Sequence, residues 1–148
     1  MAFRKPDEIA DAAIEAGMKK VQLPLPSLLV LGFLGGAFIA LGYLLDIRVI
    51  GDLPKEWGSL SSLIGAAVFP VGLILVVLAG AELITGNMMS VAMALFSRKI
   101  SLKQLAVNWG IVTMMNLIGA LFVAYFFGHL VGSVSYTHLR AHETGRNL

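Results

Sequence analysis

Four stretches of this chain, residues 21–45, 57–81, 83–97 and 104–128, contain no charged side chain. A bilayer core of about 30 Å takes about 20 helical residues to cross. The first, second and fourth stretches reach that length and the third does not, so three crossings and one half-crossing are expected. The composition fits: 57% of the 148 residues are hydrophobic and 14% charged, with a mean hydropathy of +0.83, against about 25% charged in ordinary soluble domains. The expected fold class is an all-α membrane protein.

The charges are grouped at the ends of these stretches, where they set orientation. Four basic residues precede the first span (Arg4, Lys5, Lys19, Lys20), two follow it (Arg48, Lys55), and three precede the last (Arg98, Lys99, Lys103). The positive-inside bias then places the N-terminus in the cytoplasm and residues 46–58 outside, as expected of a multi-pass protein of the cell inner (plasma) membrane. A pI near 9.1 therefore reflects topology, and no nucleic-acid partner is expected. Residues 1–20 hold eight charged side chains and no apolar signal core, so the first span is expected to serve as its own insertion signal. "PDEIADAAIEAGMKK" (6–20) starts with Pro and acids and ends on two lysines, as a helix dipole prefers, with Ile9, Ala13 and Ala16 along one side; it predicts a cytoplasmic surface helix. The expected organisation is 1–26 as that helix plus a linker, 27–132 as the membrane unit, and 133–148 as a tail of another kind. Within the membrane unit the spans fall at about 27–45, 59–82 and 104–130, with a half-helix at 88–97. Gly32, Gly36 and Ala40 place small residues on one face of the first span, where another helix can approach closely. Cysteine is absent, which removes thiolate chemistry and iron–sulfur ligation, and no cofactor is expected.

The most informative stretch is "AGAELITGNMM" (79–89), which puts a carboxylate, two glycines, a hydroxyl and an amide into a hydrophobic run. Pro70, earlier in the same span, predicts a kink that neighbouring protein must re-satisfy. Gly80 and Gly86 permit backbone shapes other residues resist. Thr85 and Asn87 can cap the first amides of the short helix that follows, and both are expected along the substrate path. Such a break predicts a discontinuous membrane helix, tolerated only where it is buried in protein or lines a water-filled cavity. The half-helix then aims unpaired amides and partial positive charge at the membrane interior, an end that suits anions. Glu82 is too costly to face lipid. The preferred reading has it accepting hydrogen bonds from loop amides away from the pore axis; proton relay and direct pore lining are the competing roles.

"GAAVFPVGLILVVLAGAELITGN" (65–87) followed by "QLAVNWGIVTMMNLIGAL" (104–121) resembles the formate/nitrite transporter family in order, spacing and residue type, as does the N-terminal "PDEIADAAIEAGMKK". The resemblance covers about residues 5–132. It implies an aquaporin-like fold of six helices in two inverted repeats, a homopentamer with a pore in each protomer, and passage of small monovalent anions such as formate or nitrite. It implies an outer apolar constriction at Phe69 and Leu73, an inner one at Leu83 and Ile84, and a pore hydroxyl at Thr85. Ile84 departs from the family's commoner phenylalanine, which implies a wider inner gate. Trp109 and Asn116 are expected to pack and to hydrogen-bond between helices. The family's central histidine belongs to a second repeat, and His129 does not match it.

Three spans against six suggest a non-conducting N-terminal fragment of a channel. "SVSYTHLRAHETGRNL" (133–148) resembles a translated adaptor or vector tail, and the i, i+4 pair His138 and His142 in it is not taken as a metal site. An enzyme is not expected, because Glu82 is isolated and no HExxH motif, phosphate loop or nucleophile with its base occurs. The alternative reading is an aquaporin-type channel for water or small neutral solutes, although Gly86-Asn87-Met88 stands where that class would carry Asn-Pro-Ala.

Overall fold

The computed structural model describes residues 5–51 and 53–130, which are helical apart from short connections. The expectations for His138, His142 and the tail from 133 lie outside the described residues, as does the side chain of His129. In order come α1 (Pro6–Val21), α2 (Leu25–Gly51), a 3-10 turn (Lys55–Trp57), α3 (Ser59–Val68), α4 (Pro70–Ala79), α5 (Ile84–Phe96) and α6 (Leu102–Val123), which runs on as a π-turn over Ala124–Leu130. Among the described residues three apolar rods are long enough to cross a membrane: Leu25–Gly51, Ser59–Ala79 and Leu102–Gly128.

Helix ends follow local chemistry. Pro6 occupies the first turn of α1 and the Glu8 carboxylate accepts a 3.1 Å bond from the Lys5 amide. Ser101 caps α6, its hydroxyl oxygen accepting from the Gln104 amide at 3.3 Å. α3 and α4 form one kinked rod: Phe69 keeps helical angles, but Pro70 cannot donate to the turn before it.

Glycine decides which rods touch. A Cβ on Gly36 would overlap the Asn116 carbonyl of α6, one on Gly119 the Phe33 carbonyl of α2, and one on Gly32 would lie 2.9 Å from the Met115 Cβ. The α2–α6 packing is the most extensive in the structure, and it is backbone on backbone. Between membrane helices there is no hydrophobic drive, since lipid tails are as apolar as leucine, so van der Waals contact of this kind has to hold the helices together. Gly42 and Gly72 bring α2 and α4 together in the same way.

α1 docks against α5. Its docking residue is Gly17, whose missing Cβ makes room for the Ser90 carbonyl of α5, while Ile9 is exposed. Ala13 and Ala16 are half-buried beside Gly17, and the helix packs mainly against α5 and to a lesser extent against α6. The fully buried aliphatics Val91, Ala94 and Val112 lie on α5 and α6. By contrast Val77, Leu78 and Phe96 are 72%, 80% and 84% exposed, surfaces for lipid or further protein rather than for water.

Candidate functional site

The second rod ends at Ala79. Gly80 adopts φ 63°, ψ 29°, and the Gly80 and Ala81 amides donate back to the Val77 and Val76 carbonyls at 3.3 and 2.9 Å. This is the glycine-closed C-cap that satisfies a helix's last carbonyls. Leu83 is extended and α5 starts at Ile84. The rod was expected to reach Glu82 and the half-helix to start at Met88. It starts four residues earlier because the cap comes from elsewhere: the Asn116 side-chain oxygen on α6 accepts the Ile84 amide at 2.9 Å. Thr85 and Asn87 do not cap; they are the second and fourth residues of α5.

Asn116 does more than cap. Its side-chain nitrogen donates to the Gly32 carbonyl of α2 at 2.7 Å and to the Glu82 carbonyl at 2.9 Å. The Glu82 amide donates to the Leu31 carbonyl at 3.0 Å. Gly35 leaves room for the Glu82 carbonyl, where a Cβ would overlap it. An irregular segment that would be intolerable in lipid is thus pinned on two sides by protein.

The Glu82 side chain is buried in a polar ring. Its Oε1 accepts from Lys20 Nζ at 2.8 Å and its Oε2 from Asn87 Nδ2 at 2.8 Å. The same Asn87 nitrogen donates to Asn108 Oδ1 at 2.9 Å, and Asn108 Nδ2 donates to the Lys20 carbonyl at 3.1 Å. The carboxylate is therefore held by a cation from α1 and an amide from α5, which replaces the expected loop amides. Asn87, read from the sequence as part of the path, is fully buried and serves this ring; Trp109 Nε1 donates to its carbonyl at 3.3 Å. Its Oδ1 is buried with no partner among the described residues.

Lys20 and Asn108 are the two members of the ring that the sequence did not single out. A signal existed, since a carboxylate at membrane depth needs a cation and further hydrogen bonds to be tolerated. Which of eleven basic residues supplies the charge depends on how α1 docks, and that is a tertiary matter.

The remaining residues divide between the two ends of α4. Phe69 and Leu73, one turn apart at its start, are 39% and 49% exposed, and Phe69 meets Tyr43 edge-on at 6.5 Å. Beyond its other end Leu83 and Ile84 are half-buried, while Thr85 and Gly86 are exposed. As the second and third residues of α5, Thr85 and Gly86 have amides with no helical acceptor behind them. Nothing lies within 4 Å of where a Gly86 Cβ would be. The first turn of α5 therefore presents donors on an open face, next to a carboxylate already matched by Lys20. Among the described residues no cluster of His, Cys, Asp or Glu could hold a metal ion.

A family model described as formate/nitrite transporter matches residues 7–146. The chain is 95% identical over 132 residues to the transporter YrhG of Bacillus subtilis, covering 89% of this chain and 50% of that protein. It is 64% identical over 132 residues to the formate channel BtFdhC of Bacillus thuringiensis, covering 89% and 51%. A probable formate transporter of Methanothermobacter thermautotrophicus is 41% identical over 133 residues, covering 88% and 48%. The chain spans about half the length of these relatives. With its broken second rod and its match over nearly its full length, this chain belongs to the formate/nitrite transporter family, a family of membrane transporters and not of enzymes.

Proposed function

We propose that this chain forms one half of a pore for small monovalent anions such as formate or nitrite. The observation that carries the reading is the open first turn of α5. Thr85 and Gly86 offer unpaired amides at a break inside the membrane, and the neighbouring Glu82 carboxylate is matched by Lys20 at 2.8 Å, so the end of the half-helix keeps its positive character. On this reading Leu83 and Ile84 form the inner narrow point, Phe69 and Leu73 the outer one, and the Thr85 hydroxyl faces the passing anion. The other wall comes from a second, inverted half in an aquaporin-like protomer, the protomers assemble as a homopentamer, and this chain alone does not conduct. On this reading the N-terminus faces the cytoplasm at the cell inner membrane, an orientation supported by the basic residues Lys19, Lys20, Arg98, Lys99 and Lys103.

The test joins residues 1–132 to the second half of the Bacillus thuringiensis formate channel, 64% identical over the shared half, and measures formate uptake into liposomes. The fusion is expected to pass formate and the isolated chain none. Thr85→Ala in the fusion is expected to slow uptake with assembly unchanged. An assembled fusion that passes water but neither formate nor nitrite would overturn the reading in favour of a neutral-solute channel.

A further inference from the structure

The linker between α1 and α2 and the first turns of α6 border a groove of about 250 Å³ that lies apart from the open turn of α5, with Asn108 of the polar ring at its floor. Leu23, Leu25, Val107 and Ile111 form its walls, with Lys103 and Gln104 among its polar lining. Leu25 and Val107 remain 56% and 50% exposed, so the trough is open from the side. Lys103 does not stand alone. Arg98 and Lys99 lie in the turn just before α6, and all three cations are exposed. No Asp or Glu occurs between Glu82 and Glu143. Among the described residues the ion pairs involve Lys19 and Lys20, and none of these three.

An apolar trough with a cluster of unmatched cations beside it suits one molecule class, a hydrocarbon chain joined to an anionic headgroup. The volume holds part of an acyl chain, not a whole lipid, which leaves the headgroup at the mouth. We infer that this groove seats an anionic phospholipid of the bilayer, one acyl chain between α6 and the α1–α2 linker and the phosphate against Lys103. The groove at the other end of α2, lined by Leu41, Leu44, Leu45, Arg48 and Phe127, offers one cation only and lacks this match. The lipid seat does not depend on the anion-pore reading, because it uses none of the residues at the open turn of α5.

The experiment titrates the 148-residue chain in neutral detergent micelles with dioleoyl phosphatidylglycerol or dioleoyl phosphatidylcholine and counts retained lipid by native mass spectrometry. One basic residue near a headgroup is equivalent to about 1 kcal/mol, about fivefold in binding. Phosphatidylglycerol is therefore expected to be retained at least about fivefold better, and Lys103→Gln to lower that preference about fivefold. Val107→Trp, which fills the trough from an exposed position, is expected to reduce retention of both lipids, and Leu25→Trp on the opposite wall to do the same should the first variant fold poorly. Lys19→Gln, whose charge is paired with Glu15, is expected to change nothing. The inference is overturned if Lys19→Gln and Lys103→Gln act equally, which would mean diffuse surface charge, or if both tryptophan variants retain lipid normally. It is equally overturned if wild type forms a dimer that lipid does not displace and Val107→Trp breaks, since a second copy would then occupy the groove.

Discussion

Replacing Asn116 by leucine, which has the same number and branching of side-chain heavy atoms, removes one amide and leaves three backbone groups without it: the Ile84 N–H, the Glu82 carbonyl and the Gly32 carbonyl. The three are not equal. Gly32 lies within α2, so its carbonyl keeps its helical bond and loses only a second one. The Ile84 amide opens a helix with no acceptor behind it, and the Glu82 carbonyl sits in the irregular segment. Two orphaned groups at about 1–3 kcal/mol each give a loss of about 2–6 kcal/mol. Interhelical hydrogen bonds in membrane proteins average only about 0.6 kcal/mol, because the partly unfolded chain also finds partners; three such bonds would sum to about 2 kcal/mol, the bottom of that range. The larger value is expected, since the Ile84 amide has its position fixed by the break and cannot turn to another acceptor. Reversible unfolding of Asn116→Leu in mixed micelles measures the total, and hydrogen exchange at Ile84 reads the local event, with protection expected to drop at least about tenfold. Stability within about 0.5 kcal/mol of the parent, together with unchanged exchange at Ile84, would show that the break is not held by this side chain.

Gly36→Ala is expected to force α2 and α6 apart and to lose about 1–3 kcal/mol or more by overpacking, because its Cβ would overlap the Asn116 carbonyl; Gly86→Ala, with open space around it, is expected to be neutral or slightly stabilising in the same unfolding assay. Lys20→Met strands the buried Glu82 carboxylate and should lose about 3 kcal/mol, near the low end for a broken buried pair, since the lysine is 25% exposed; adding Glu82→Gln should recover most of it, and a double variant no more stable than the single one would argue against the charge pairing. Single cysteines introduced in this cysteine-free chain at Asp11 and Glu56 are expected to react with an impermeant maleimide from opposite sides of the membrane, Asp11→Cys from the cytoplasm. Labelling of both from one side would overturn the topology.

Much of the architecture follows from the sequence directly, for reasons of length and solvent. An uncharged run of about 20 residues in a bilayer has little choice but helix, so the three long rods and the short fourth helix could be read off residues 21–128. Breaks are legible too, because Pro70 cannot donate a hydrogen bond and Gly80 accepts the left-handed angle that ends α4. The starting point of α5 was not legible. Local propensity places caps on Thr85 and Asn87, but the cap that operates is on α6, thirty-two residues away from Ile84. Nor was the fate of Asn87, whose side chain the ring of Glu82, Asn108 and Lys20 draws into the interior.

The sequence by itself determined what kind of solvent this protein folds in, where its chain crosses, where regular hydrogen bonding fails, and, through "AGAELITGN" with its downstream asparagines, the family to which it belongs. Tertiary structure alone decided which groups repair that failure. Hydrophobic length and glycine or proline backbone limits are properties of a segment, whereas the pairing of Lys20 with Glu82 and the clamp by Asn116 require three separate helices to arrive at one place. Those contacts form because glycines at 17, 35 and 36 let α1, α2, α5 and α6 approach to backbone distance, an arrangement that no local pattern encodes.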